Sequence, residues 1–257
     1  MSSNFYNKLD TLKARNENIS KIIAEKIDKL PRGYVFTYSE IRDNVDKAEA
    51  VIKSLNRMVA SGKLRKISKG RFYKPENSPF GELEPSEYQV AKDLLRKDNK
   101  IIGYLTGLSI YNKLGLTTQV SNTIQIGRNS TRPSLVRGKY KISFVLQKNP
   151  INKKNISLLQ LLDAIKYFKK IPDSDTKFLI NRFKILLSDL SNKQLKKLVQ
   201  LLMQYPANTR ALTGALLDEI GKAEFTKEIK SSLNPISVYK LKIPQEILST
   251  AKNWNIK

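Results

Sequence analysis

A chain of 257 residues is long enough for a small domain followed by a larger one, each with its own core. Its 47 Lys and Arg residues against 23 Asp and Glu leave a formal charge of +24, which favours polyanionic partners because each cation set against a phosphate releases condensed counterions. Cysteine and histidine are absent, which excludes disulfides, thiolate nucleophiles, imidazole acid–base chemistry and the common zinc sites.

Met1 to Leu12 carries no apolar signal core, and no apolar stretch is long enough to span a bilayer. A cytoplasmic protein without membrane association is expected. Residues 20–30 then place Ile22, Ile23, Ile27 and Leu30 at helical spacing, and Pro31-Arg32-Gly33 stops that helix. Tyr34 to Thr37 reads as a short extended run, and Tyr38-Ser39-Glu40-Ile41 opens a second short helix ending near Asn44. Asp46 with Glu49 three residues on is a variant capping box, starting a third helix that lasts to Ser61-Gly62. Lys63 to Ile67 alternates, Ser68-Lys69-Gly70 turns and Arg71 to Lys74 alternates back, a hairpin signature. Helix, helix, helix, hairpin is the order of a winged helix-turn-helix.

Pro75, Pro79, Gly81 and Pro85 punctuate a stretch with few core residues, so a DNA-binding domain over 1–75, a linker over 76–85 and a second domain over 86–257 are predicted. In that second domain a helix runs from Ser86 to Lys97 and another from about Thr106 to Leu114. Strands at Thr123–Ile126 and Lys139–Val145 flank a loop rich in Asn, Ser, Arg and Pro. Helices follow at about 157–170, 174–189, 191–204 and 207–220, and Val238–Ile243 reads as a returning strand. The predicted class is α+β, with an N-terminal winged helix-turn-helix and a larger α/β domain whose C-terminal part is mostly helical.

In the third helix, Ala48, Ile52, Leu55 and Val59 fall in one stripe at about 100° per residue, which places them toward the core. The opposite face then holds Ala50, Lys53, Ser54 and Arg57, with Lys47 at the N-terminal end where recognition helices meet base edges. An ordinary solvated helix face is the competing reading. The stretch Lys63 to Lys74 decides between them: Lys63, Arg65, Lys66, Lys69, Arg71 and Lys74 occur there without an acid, whereas a merely soluble hairpin mixes signs. Lys69 and Arg71, flanking the tip, are the expected phosphate contacts. Phe72 is read as core packing.

No acid lies between Asp98 and Asp163, so Arg128, Arg132, Arg137, Lys139 and Lys141 form a candidate second basic surface for DNA or RNA, with a solvated loop as the alternative. Gly103-Tyr104-Leu105-Thr106-Gly107 resembles half a phosphate loop but lacks the Gly-Lys-Ser/Thr ending, and is read as a lead into a helix. Asp173, Asp175, Asp218 and Glu219 lack the companions of a nuclease site and are read as helix-end or solvated carboxylates. No catalytic residue, metal or cofactor is expected.

The wing segment Gly62 to Tyr73, the stretch Gly103 to Leu116, and the later Asn208-Thr209-Arg210-Ala211-Leu212 and Tyr239-Lys240-Leu241 together resemble the AbiEi-like antitoxins of type IV toxin-antitoxin systems. The resemblance implies a bacterial two-gene operon. In it, this protein would repress its own promoter by binding operator repeats in duplex DNA, and would counteract a nucleotidyltransferase-like toxin without forming a stable complex with it. A monomer that bends DNA between two sites, or a dimer, fits that role. The alternatives from other classes are a Mg²⁺-dependent nuclease or restriction-type subunit and an RNA-binding module.

Overall fold

The computed structural model describes residues 19–42 and 48–257. The chain is a mixture of helices and small sheets, consistent with the α+β class, and divides into two compact units, Met1–Lys92 and Asp93–Lys257. Met1 to Leu12, Lys47 and the capping Asp46 lie outside the described residues. Among the described residues, no helix is long and apolar enough to cross a membrane.

The first unit begins with helix α1 (19–28), then strand β1 (Val35–Thr37), α2 (Tyr38–Arg42) and α3 (Ala48–Ala60). Strands β2 (Arg65–Ser68) and β3 (Arg71–Tyr73) follow and join β1 in an antiparallel sheet of order β1-β3-β2. Thr37 and Glu40 cap α2 reciprocally: the Glu40 amide donates to Thr37 Oγ1 and the Thr37 amide to Glu40 Oε1, so two orphan donors are satisfied at one helix start. The β2–β3 turn passes through Gly70 at φ +73°, a region where a Cβ is strained. The register slips by one residue between Lys66 and Ser68, a bulge that bends the hairpin just before its tip.

Ile23, Ile27, Phe36, Ile41, Val51, Leu55, Leu64 and Phe72 form the core of this unit, with the Phe36 and Phe72 rings 6.1 Å apart across the β1–β3 pair. Phe72 is buried, in keeping with its reading as a packing residue. Residues 76–85, read from the sequence as a linker, carry an antiparallel hairpin of β4 (Glu76–Ser78) and β5 (Gly81–Leu83). Pro79 and Gly81 therefore punctuate a hairpin turn. The division between the units falls further on, inside helix α4 (Glu87–Leu95).

The second unit opens with the end of α4 and a two-stranded turn of β6 (Arg96–Lys97) and β7 (Lys100–Ile101). Its main sheet comprises β8 (Gly103–Thr106), β9 (Thr123–Arg128), β10 (Leu135–Arg137) and β11 (Tyr140–Leu146), in the order β10-β11-β9-β8. The β9–β11 pair is parallel and the other two pairs are antiparallel. The glycine-flanked stretch expected to lead into a helix is itself the strand β8, fully buried, and helix α5 (Leu108–Lys113) starts only after Gly107. A continuous buried run of Gly, Tyr, Leu and Thr has no alternation, so its strand character is invisible to a period-two search.

Helices α6 (Ile156–Lys166), α7 (Thr176–Ser188), α8 (Asn192–Leu202) and α9 (Ala207–Glu219) lie close to the predicted spans. Asp175 caps α7, its carboxylate accepting from the Phe178 amide at 2.7 Å, and Ser191 with Gln194 forms a full capping box on α8. The short helix α10 (Lys227–Ser231) precedes a C-terminal 3₁₀ segment, Ser249–Trp254, which packs on α9. The returning strand expected at Val238–Ile243 is reduced to a single parallel bridge between Tyr239 and Ile256. Lys242 at φ +53° and the proline at 244 break the extended backbone there, which the alternation of Tyr239, Leu241 and Ile243 does not reveal.

Candidate nucleic-acid interface

Helix α3 presents its faces differently from the expectation. Val51, Ser54 and Leu55 are buried and Met58 and Val59 half-buried, while Ile52 is 41% exposed. The inward stripe is thus rotated by roughly half a residue's 100° step from the one drawn through Ala48, Ile52, Leu55 and Val59. Ser54 is 2% exposed and faces the core, so it is removed from the interface. The exposed face carries Glu49, Ile52, Lys53, Asn56 and Arg57. Arg57 Nη2 donates to Ser20 Oγ at 2.8 Å, which holds that guanidinium to α1.

The basic hairpin is less one-sided in space than in sequence. Lys63 pairs with Asp28 at 3.0 Å, and Lys74 Nζ donates to the Asp28 carbonyl. Arg65 pairs with Glu82 of β5 at 2.8 Å and also donates to the Gly62 carbonyl. Arg71, opposite Thr37 in the β1–β3 register, is half-buried. Lys66 and Lys69 remain exposed on the β2–β3 hairpin, and with Lys53 they are the predicted cations of this unit that keep exposed ammonium groups without an acidic partner among the described residues. The acids that neutralise Lys63 and Arg65 come from α1 and β5, outside the acid-free stretch Lys63 to Lys74.

The candidate second surface is not gathered into one patch. Arg137 is 4% exposed and forms a bidentate pair with Asp93, at 2.5 Å to one oxygen and 2.8 Å to the other, so it is a buried structural cation. Arg128 is half-buried at the far end of β9, paired with Leu146 of β11. Lys141 sits at the other end of the same parallel pair, opposite Thr123. Five register steps separate them, roughly 16 Å at the rise of a strand. Arg132 and Lys139 are exposed, over the Phe144 and Tyr140 rings respectively at 5.6 Å.

Asp218 and Glu219, at the end of α9, hold the C-terminal segment. Asp218 Oδ2 accepts the Trp254 indole N–H at 2.7 Å, and Glu219 accepts from the Ser249 hydroxyl and the Thr250 amide. Desolvation pushes the Glu219 carboxyl up, but the hydrogen bonds from Ser249 and Thr250 together outweigh it and hold the group below the ordinary carboxylate range.

A buried polar cluster in the second unit was not anticipated. Asp163 on α6 is 1% exposed and accepts from Tyr104 Oη at 2.7 Å, Tyr205 Oη at 2.8 Å and Thr106 Oγ1 at 3.0 Å. Gln147 Nε2 donates to both tyrosine oxygens at 2.9 Å, and Asn149 ties the Gln147 side chain to the Leu201 carbonyl. The cluster joins β8, the end of β11, α6 and the α8–α9 turn. Its signal in the sequence is a lone acid inside the apolar run Leu161-Leu162-Asp163-Ala164-Ile165.

Burial pushes the Asp163 carboxyl above its usual range, outweighing the hydroxyl donors and nearby Lys166 that pull it down. The unfolded chain releases this proton near pH 4, at about 3.9, and the folded chain releases it at higher pH. In that window the folded state holds the extra proton, so stability is full below it and falls as pH rises through it. The stability advantage of wild type over Asp163→Asn is therefore expected to shrink as pH rises from about 4. Urea midpoints across a pH series measure it, and a difference independent of pH contradicts the assignment.

Among solved structures, the chain is similar to the RV2827C protein from Mycobacterium tuberculosis, with a TM-score of 0.57 at 14% identity over 85% of this chain and 82% of that one. At that identity the likeness is one of fold. No curated protein matches the chain. Residues 22–195, more than half of the chain and reaching from the basic hairpin unit through α7, match a family of unknown function, and the chain belongs to that family, DUF6088.

Proposed function

We propose that the first unit is a winged helix-turn-helix that binds duplex DNA, with α3 as the recognition helix and the β2–β3 hairpin as the wing. The observation that carries this reading is the set Lys53, Lys66 and Lys69, exposed on those two elements and spent on no acid among the described residues. Solvated ammonium groups on a helix face and a hairpin tip are the equipment for phosphate contacts, which position such a module on the duplex. The order α1, β1, α2, α3, β2, β3 and the sheet order β1-β3-β2 support the same reading. Base readout falls to the remaining exposed face of α3, where Asn56 stands beside Lys53.

The resemblance to AbiEi-like antitoxins extends this to a transcriptional autorepressor and antitoxin acting against a nucleotidyltransferase-like toxin, in the cytoplasm and without chemistry of its own. Competition between duplex DNA and a structured RNA of equal charge, at matched salt, tests the binding claim. Tighter binding of the duplex is the expected result, and tighter binding of the RNA overturns it.

A further inference from the structure

A concentration of charge outside the DNA-binding reading lies in the second unit, where the turn before α6 faces the exposed side of α8. A hollow of about 790 Å³ opens there, walled by Lys153 and Lys154 on one side and Lys193, Lys196 and Lys197 on the other, with Leu158 at its base. Among the described residues, no carboxylate lines it. Its size is that of a small-ligand site. Both walls are held in place: Asn152 Oδ1 accepts from the Lys154 and Asn155 amides, Asn155 is buried with its amide donating to the Pro150 carbonyl, and the capping box of Ser191 and Gln194 fixes the start of α8. Leu195, Leu198 and Val199 bury the opposite face of α8, so Lys193 and Lys197 must stand together on the exposed one. Like charges one helical turn apart repel, and an anion between the walls relieves that cost.

The chemistry of the walls limits what enters. Lysine offers a compact point charge suited to phosphate, and among the described residues the hollow has neither arginine for planar bidentate recognition nor an aromatic ring on which a base would stack. The positive field is also short. Lys196 and Gln200 are shared with an adjoining hollow that contains Glu224 and Glu228, so a long polyanion leaving on that side meets negative charge. We propose that the hollow binds a short oligophosphate, a ligand whose recognised part is a run of linked phosphates, whether inorganic or the tail of a nucleotide. It is a site separate from the DNA-binding reading of the first unit and does not depend on it.

Calorimetric titration of the full chain with inorganic tripolyphosphate, at fixed ionic strength, tests the proposal. Saturable binding at one site is expected, weakened by about tenfold or more in K153Q/K154Q and in K193Q/K197Q. The control K177Q/K252Q removes the same charge from lysines that do not line the hollow and is expected to leave affinity unchanged. A nucleoside triphosphate that displaces tripolyphosphate identifies a nucleotide tail as the source, and one that does not identifies the inorganic chain; both support the site. Absence of saturable binding, equal weakening in the control, unchanged affinity in both wall variants, or tighter displacement by a single-stranded RNA oligomer of matched charge overturns it.

Discussion

Gly214→Ala is expected to destabilise the chain by about 2–3 kcal/mol, although alanine is the better helix former by about 1 kcal/mol. Gly214 lies in the middle of α9, where a Cβ would fall 2.2 Å from Cη2 and 2.3 Å from Cζ3 of Trp254. That ring is held on several sides. Its N–H is bonded to Asp218, Thr250 Oγ1 donates to the Ala215 carbonyl at 2.7 Å, and the residues after it pair with Tyr239. With the indole fixed, relief must come from displacing the C-terminal segment from α9, and the penalty is that of an overpacked core. Trp254→Leu in the Gly214→Ala background is expected to restore part of the loss, because the two positions are in contact and their effects are not additive. Urea denaturation followed by far-UV circular dichroism reads both. Stabilisation of Gly214→Ala by the helix propensity gain would show that the C-terminal segment does not clamp α9.

The second large effect concerns the interface. The triple variant K53Q/K66Q/K69Q is expected to lose DNA affinity by more than an order of magnitude, and to lower the slope of log affinity against log salt by about 2.7, since each phosphate contact contributes about 0.9. By contrast, Lys63→Gln or Arg65→Gln is expected to leave that slope nearly intact, because those cations are already paired with Asp28 and Glu82. Fluorescence anisotropy on one duplex across a salt series distinguishes the two groups. Equal loss from all five lysine and arginine positions would mean that the duplex responds to net charge alone.

The contrast between these groups marks where the sequence was legible and where it was not. Periodicity and punctuation place α6 to α9 within a few residues, because Ser191, Pro206 and Asp175 act on the backbone next to them, whereas the five-residue α10 is too short to show a period. Stripe assignment in α3 was harder, since Leu55 belongs both to the stripe with Ile52 and to the stripe with Val51 and Met58. Choosing between them puts a serine inside or outside, and packing against α1 and the sheet decides it. Charge counting failed for a related reason. An acid-free window says nothing of acids that the fold brings to it, as Asp28 and Glu82 are brought to Lys63 and Arg65, or Asp93 to Arg137. The Asp163 cluster draws its partners from positions 104, 106, 147 and 205, so the lone buried acid was visible in the sequence and its partners were not.

Hydrogen–deuterium exchange of the full chain, with and without a bound duplex, tests the central claim most directly, since it reports where along the backbone the nucleic acid is engaged. Slowed exchange confined to α3 and to the β2–β3 hairpin, Arg65 to Tyr73, is the expected result. Protection that spares both elements and appears only in the second unit would contradict the assignment of DNA binding to the first.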